Sequence, residues 1–171
     1  KTAIEAAQKA LNAYKGSKST AELQALIDKA EELLAKAEEK DRVERINEVG
    51  AGSLATLIIN ELEVKEFIGL SAAQRVEVAE RLVDARSAEG YEAYESSADF
   101  ILAVEAEIEV YLGLIDAVNN AANKLDMVAA LSAINEDYAN LELDAKLPLA
   151  EAMYAKVTDK DFVKYTTLAD I

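Results

Sequence analysis

The sequence has no cysteine, no histidine and no tryptophan, and only one proline and six glycines among 171 residues. Without cysteine the chain can form neither disulfides nor thiolate metal sites. Without histidine it lacks the commonest acid–base group and metal ligand. The scarcity of proline and glycine leaves few helix breakers. These absences favour a helical chain that works without the usual catalytic side chains.

Positive charge is also scarce, because 18 lysines and arginines stand against 33 acidic residues, for a net charge of −15. Nucleic acid is not an expected partner, since binding it needs a basic surface that displaces counterions. Anionic membrane surfaces are disfavoured for the same reason. No apolar run approaches the roughly 18–20 residues that span a bilayer, so we expect a soluble chain without membrane insertion. The acidic surface suits solubility, cation condensation or a basic partner.

The remaining composition favours an all-α fold. Hydrophobic residues make up 51% of the chain, which suits one globular domain or two small ones with a buried core. Alanine, leucine, glutamate and lysine dominate, and their side chains lose little freedom on a helix. The chain opens on Lys1 without a methionine or a signal sequence, so we expect it to be part of a longer protein.

Apolar spacing predicts two helices in the N-terminal part. The first carries one stripe of apolar residues three or four apart, namely Ile4, Ala7, Leu11 and Tyr14. The segment KGSKST ends it, with Gly16 as a left-handed C-cap. Ser19 then provides an N-cap with Glu22 three residues on, a capping box, and the second helix runs as far as Val49. The sequence therefore predicts a helical hairpin.

The remainder of the chain alternates helical segments of different lengths. A short helix (SLATLIINEL) leads through a connector (EVKEFIGL) to a mid-length helix capped by Ser71. A loop with two tyrosines (SAEGYEAYESS) follows, and a long helix then starts near Ser97. This long helix tolerates Gly113 at a cost of about 1 kcal/mol.

Many apolar positions and element boundaries after residue 50 recur at one fixed offset along the chain. The offset is 71 residues, the separation of Leu54 from Leu125, and is here named the repeat spacing. GYEAYESSADF aligns in this way with DFVKYTTLADI, and other pairs with the same separation are Tyr91/Phe162, Tyr94/Tyr165, Phe67/Tyr138, Val76/Leu147, Val78/Leu149 and Leu82/Met153. Because a shared core would constrain such positions, we interpret the offset as an internal repeat.

The repeat predicts an elongated all-α fold of tandem three-helix-bundle repeats joined by long shared helices. Three parts are expected: an N-terminal helical hairpin at 1–49, repeat 1 at 50–121, and repeat 2 at 122–171, truncated before its last helix. Residues that the last helix would cover should be partly exposed, namely Leu125, Val128, Leu131, Leu147 and Met153. Pro148 predicts that the mid-length helix of repeat 2 starts slightly later, near Asp144, without a break.

The segments INEVGAGSLATLIINEL, FIGLSAAQRVEVAERLVDAR and IDAVNNAANKLDMVAALSAI resemble the alanine-rich helical repeats of Gram-positive bacterial S-layer and cell-surface proteins. The N-terminal STAELQALIDKAEELLAKAEEKDRVERINEV is similar to companion helical segments of the same proteins. The resemblance covers nearly the whole chain through alanine, leucine and turn spacing, without a diagnostic motif. It implies an extracellular structural or spacer role in a secreted protein of the cell wall and brings no catalytic residues.

Two acidic loops are the candidates for metal binding. NEDYANLELD and TDKDF contain oxygen ligands of the kind that Ca²⁺ prefers, and their carboxylates are Asp137, Glu142, Asp144, Asp159 and Asp161. Neither loop has the spacing of an EF-hand. Helix caps and solubilising charge are the simpler interpretation, and a weakly bound Ca²⁺ is the alternative. No other cofactor is expected.

The remaining constellations have simple structural interpretations. Tyr91, Tyr94, Phe162 and Tyr165 could form an aromatic platform for a sugar or peptide, although core plugs beneath the two loops fit their positions at helix junctions better. Glu105, Glu107 and Glu109 are expected on a solvated face, because a di-iron bundle would need histidines. No serine or threonine has a histidine base, and no glycine-rich phosphate loop follows a strand. We therefore expect no enzyme.

The sequence thus predicts a structural or spacer module of an extracellular, S-layer-like bacterial surface protein. Its expected partners are other domains of the same protein or neighbouring copies in a lattice. The alternative is a helical-bundle binding module that presents one face to a protein ligand. An exposed apolar patch of several hundred Å² on one helix pair would favour this alternative.

Overall fold

The computed structural model describes residues 1–16 and 19–171, and this part of the chain is all-helical, with 76% of residues in helices and no strand. The predicted fold class is confirmed at this level. In chain order the α-helices are α1 (Thr2–Ala13), α2 (Ala21–Glu48), α3 (Ala51–Leu57), α4 (Lys65–Ile68), α5 (Ala72–Asp84), α6 (Ser97–Asn119), α7 (Lys124–Ile134), α8 (Glu136–Ala139) and α9 (Leu143–Val157). A π-helical turn, Ile58–Leu62, extends α3, and a 3₁₀ turn, Leu168–Asp170, here named the C-terminal turn, lies at the end.

The predicted caps of the N-terminal hairpin are only partly right. Helix α1 ends earlier than expected, because Tyr14 is already extended with φ −69° and ψ 121°, so Gly16 is not the C-cap. Helix α2 begins after Thr20, which makes no side-chain cap, while the Ser19 hydroxyl accepts a bond of 3.4 Å from the Ala21 amide. The predicted Ser19 capping box is therefore wrong. Ser17 and Lys18 of the KGSKST segment lie outside the described residues.

The cap of the mid-length helix is where the sequence places it. The Gln74 amide donates to the Ser71 hydroxyl, and the Ser71 amide donates to the Gln74 side chain at 2.9 Å, which closes a capping box. Gly113 stays inside α6 without ending it. The Ser71 cap and the continuation of α6 through Gly113 could therefore be predicted without knowledge of the tertiary contacts.

Pro148 does not delay the helix that contains it. Helix α9 begins at Leu143, so Pro148 lies beyond the first turn. The predicted later start is wrong, whereas the predicted absence of a break is right. Position 148 is exposed, so the carbonyl that loses its intrahelical donor can bond to water instead.

Helix boundaries recur at the repeat spacing. Helices α4 and α8 are related by this spacing at both ends, and α5 and α9 are related by it at their first residues. The first residue of the C-terminal turn is related in the same way to the first residue of α6. The ends of α1 and α5 have the same separation, and so do the ends of α2 and α6. The recurrence of boundaries thus extends from the N-terminal hairpin to the last residues of the chain.

The centre of the buried core lies along α6. This helix packs against α2, α4 and α5 on the N-terminal side of the chain and against α7 on the C-terminal side. Its buried apolar residues are Phe100, Val104, Ile108, Tyr111, Ile115 and Val118. Their spacing of three or four residues keeps them on one stripe, which explains how one helix contributes to the core over its whole length. Helix α1, by contrast, buries no residue.

Burial is uneven between positions that the repeat spacing relates. Leu54 and Val78 are fully buried, whereas their counterparts Leu125 and Leu149 are 56% and 51% exposed. Among the other positions predicted to lose cover, Val128, Leu147 and Met153 are half-buried. Leu131 contradicts that prediction because it is buried in the same core as α6. In the C-terminal part, therefore, Leu131 is buried in the core, whereas Leu125 and Leu149 remain exposed to solvent.

Candidate functional site

The candidate carboxylates of the two acidic loops lie at the starts of helices and in one turn. Asp137 lies within α8, Glu142 is the N-cap residue of α9, and Asp144 lies in the first turn of α9. Carboxylates at these places stabilise the positive ends of helices. The Asp159 carboxylate accepts a bond of 2.8 Å from the Asp161 amide and so closes a turn. In residues 1–16 and 19–171, no three acidic side chains are grouped so that they could hold a metal ion.

The aromatic residues of the two loops pack inward. The Tyr94 ring meets the Phe100 ring edge to face at a centroid distance of 5.0 Å, and Phe162 meets Tyr165 in the same way at 5.0 Å. Tyr94 is half-buried against the core, and Tyr165 is 8% exposed. The interpretation of these two tyrosines as core plugs is confirmed.

Two asparagines hold these tyrosines in place, and the sequence reading missed both. The Asn47 side chain donates to the Tyr94 carbonyl and accepts from the Tyr94 amide, both at 3.0 Å. The Asn119 side chain does the same with the Tyr165 backbone, both at 2.9 Å. Each asparagine lies in the last turn of a long helix and therefore ties that helix to the loop beyond it. The only sequence signal is an asparagine near the end of both long helices.

Replacing these asparagines should cost stability unequally. Asn47 also donates to the Val43 carbonyl and accepts from the Tyr91 hydroxyl, so within the described residues it bonds to more groups than Asn119 does. We expect Asn47→Ala to cost about 2–4 kcal/mol and Asn119→Ala about 1–2 kcal/mol, because partners that are buried or half-buried lose their bonds. Urea denaturation would measure both. The exposed Asn120 is the control, and Asn120→Ala should cost less than about 0.5 kcal/mol. Equal losses at all three positions would contradict this account.

The N-terminus of α6 is capped by a carboxylate from another helix. The Glu39 carboxylate on α2 accepts from the Ser97 amide at 2.7 Å and from the Ser97 hydroxyl at 2.9 Å. The bond from the Ser97 amide is the main reason why the pKa of Glu39 lies below its ordinary value, and Arg42 lowers it further. This cap joins residues 58 positions apart.

The C-terminal turn begins in the same manner with a carboxylate from a different helix. The Glu77 carboxylate on α5 accepts from the Leu168 amide at 2.8 Å and from the Tyr111 hydroxyl at 3.0 Å. Burial and this bond to Glu77 raise the pKa of Tyr111. The residue one repeat spacing after Glu39 is Val110, which has no carboxylate. Glu77 therefore performs, at this second helix start, the part that Glu39 performs at the first.

Acid should weaken the cap that Glu39 provides. Because the folded-state pKa of Glu39 is below the ordinary 4.5, its stabilisation is present above that value and is lost as the pH falls through the folded-state value. We expect wild type to be more stable than Glu39→Gln at about pH 6, and the difference to shrink towards about pH 3. Thermal melts at several pH values would measure it. A difference that is constant with pH would show that the charge of Glu39 contributes nothing.

Glu107 corrects the expectation of a wholly solvated acidic face on α6. It is half-buried and forms an ion pair with Arg81 of α5, whereas Glu105 and Glu109 are exposed as expected. Arg45 of α2 donates to the Glu61 carboxylate from its two terminal guanidinium nitrogens, at 2.5 and 2.6 Å. These carboxylates are thus engaged in pairs that connect neighbouring elements of the fold.

The remaining candidate is an apolar groove between α1 and α2, here named the α1–α2 groove. It has a volume of about 740 Å³, and the described residues that line it are all uncharged. The lining residues are Ala3, Ile4, Ala7, Ala10, Leu11, Tyr14, Ser19, Thr20, Leu23, Leu26, Ile27 and Ala30. Leu26 is 64% exposed and Leu23 is 55% exposed. Both leucines lie on α2, and Ile4 and Leu11 of α1 are half-buried beside them. Large aliphatic side chains at such exposure are typical of an interaction surface.

Comparison with known proteins adds no relationship: no protein-family model, curated protein or solved structure matches the chain. Within the part of the chain that the structure describes, none of the helices combines the length and the apolar character needed to cross a bilayer.

Proposed function

We propose that the chain is a non-catalytic spacer module of an extracellular, S-layer-like bacterial surface protein, built from tandem three-helix units that share their long helices. The observation that carries the proposal is the position of α6, which packs on α4 and α5 before it and on α7 after it. A helix shared in this way replaces a flexible linker between units, so the distance between them is fixed by the helix.

The recurrent helix boundaries support the tandem arrangement. The repeat spacing relates the ends of α1 and α2 to the ends of α5 and α6, and it relates α4 and the start of α5 to α8 and the start of α9. At about 1.5 Å per residue, the 28 residues of α2 extend about 42 Å and the 23 residues of α6 about 35 Å. Helices of this length suit a module that separates other domains of the same protein.

The location on the cell surface rests on the resemblance of the sequence to S-layer repeats and on its acidic composition. Antibodies against the folded chain should label intact cells of the source organism, and the protein should occur in the cell-wall fraction. The control is an antibody against a cytoplasmic protein, which should label cells only after lysis. Labelling of this chain only after lysis would exclude the surface location.

The α1–α2 groove favours a second candidate function, a helical binding module that presents this groove to a protein ligand. The groove is apolar and exposed, as a ligand surface would be. The two functions differ in what covers the groove: a foreign ligand for the binding module, and another domain or a neighbouring copy of the same protein for the spacer.

A further inference from the structure

The chain itself contains a covered counterpart of the α1–α2 groove. Helices α5 and α6 correspond to α1 and α2, because they end one repeat spacing later. Helix α3 packs against α5, and α4 packs against α6. On this covered pair Val78 of α5 is fully buried, whereas its counterpart in the groove, Ala7, is exposed. An apolar helix pair of this kind is therefore covered by a short helix followed by a one-turn helix.

The segment α7–α8 is the second short helix and one-turn helix of the chain, and it has an uncovered side. Leu54 of α3 is fully buried, but Leu125, at the corresponding place on α7, is 56% exposed. The exposed leucines on and beside α7, α8 and α9, here named the C-terminal face, are Leu125, Leu141, Leu143 and Leu149. The two ends of the chain thus present apolar surfaces whose counterparts in the middle of the chain are buried.

The charges of the two ends are complementary. Residues 1–30 contain five lysines and three acidic residues, for a net charge of +2, although the whole chain carries −15. Residues 122–171 contain five lysines and nine acidic residues, for a net charge of −4. Opposite charge around two apolar surfaces steers them towards each other, whereas two N-terminal ends or two C-terminal ends repel.

We propose that the α1–α2 groove of one chain binds the C-terminal face of a second copy, so that copies associate head to tail. The inference rests on the proposed spacer function, because it uses the correspondence between α1–α2 and α5–α6. The contact is heterologous, since it joins two different surfaces. A dimer therefore keeps one free groove and one free C-terminal face, to which further copies can bind. Such a contact extends a row of spacers without any additional protein.

Sedimentation velocity of two variants, alone and mixed, tests this contact. Leu26→Glu places a charge in the groove, and Leu125→Glu places one on the C-terminal face. Each change should weaken self-association about 10-fold or more, because a buried charge replaces an apolar contact. The equimolar mixture should form one-to-one dimers and nothing larger, since the intact groove of one variant meets the intact face of the other. Circular dichroism should show unchanged helix content in both.

Leu102→Glu is the matched control, because Leu102 is 65% exposed on α6 and belongs to neither surface. This variant should associate as wild type does. Dimers formed by Leu125→Glu alone would mean that groove binds groove and would overturn the head-to-tail contact. A wild-type chain that stays monomeric up to about 1 mM, which corresponds to a Kd weaker than about 1 mM, would also overturn it. Either result leaves the spacer function intact, since labelling of intact cells tests that function separately.

Discussion

A chain extended by a second copy of residues 101–119 directly after Ile171 should be more stable than the original by about 3–6 kcal/mol, if two large apolar side chains of the added helix become buried. Each such side chain contributes about 1.5–3 kcal/mol. The C-terminal turn and α6 both start at an amide that a distant carboxylate caps, Glu77 at Leu168 and Glu39 at Ser97. Ile171 stands one repeat spacing after Phe100, so the added residues continue the register of α6.

Thermal melting and amide exchange measure the effect of this extension. For a chain of this size, the melting temperature should rise by roughly 10 °C, since each kcal/mol corresponds to about 2–4 °C. Exchange should slow in α7 and α9, where Leu125 and Leu149 are now exposed, and should change little in α3 and α5. The matched control carries the same extension with glutamate at the counterparts of Val104 and Ile108. If both extensions behave alike, burial of the added helix is not the cause.

Phe100→Ala should be the most damaging single truncation at the start of α6, with a loss of about 3–5 kcal/mol. Phe100 is 1% exposed, and its ring packs edge to face on Tyr94. Ile171 stands one repeat spacing after Phe100 but is only half-buried, so Ile171→Ala should cost less than about 1 kcal/mol. Equal losses of stability at the two positions would mean that the side chains of Phe100 and Ile171 are buried to the same extent.

The form of the unfolding curve distinguishes a shared helix from two independent units. Since α6 packs on elements before and after it, Phe100→Ala should lower the stability of α5 and α7 together, in one transition seen by both circular dichroism and amide exchange. A variant in which α3–α5 unfold while α7 and α9 retain wild-type protection would show that α6 does not couple the two parts.

Local signals were enough to place most helices. The capping box of Ser71 and the apolar stripe of α6 depend only on residues within one or two turns, and the sequence shows them directly. The errors at Ser19 and Pro148 concern the first residues of helices, where several polar residues compete for the cap. The repeat spacing was visible because the matched positions are mostly apolar and fall near element boundaries, although the structure leaves Leu125 and Leu149 exposed.

The contacts between helices could not be predicted in the same way. Asn47 binds a residue 47 positions away, and Glu77 binds one 91 positions away, so no periodicity signals either contact. The burial of individual residues was equally difficult to predict, because an apolar stripe shows which side of a helix avoids water but not which element packs on it. Leu33 and Val104 are both apolar and correspond in position, yet only Val104 is buried.

Small-angle X-ray scattering, extrapolated to zero concentration, tests the central claim of tandem units joined by shared long helices. A compact chain of 171 residues has a radius of gyration of about 15–16 Å. The account predicts a clearly larger radius and a pair-distance distribution with a long tail. The groove variant Leu26→Glu should give the same curve at every concentration, which excludes association as the cause. A radius near the compact value would contradict the spacer architecture.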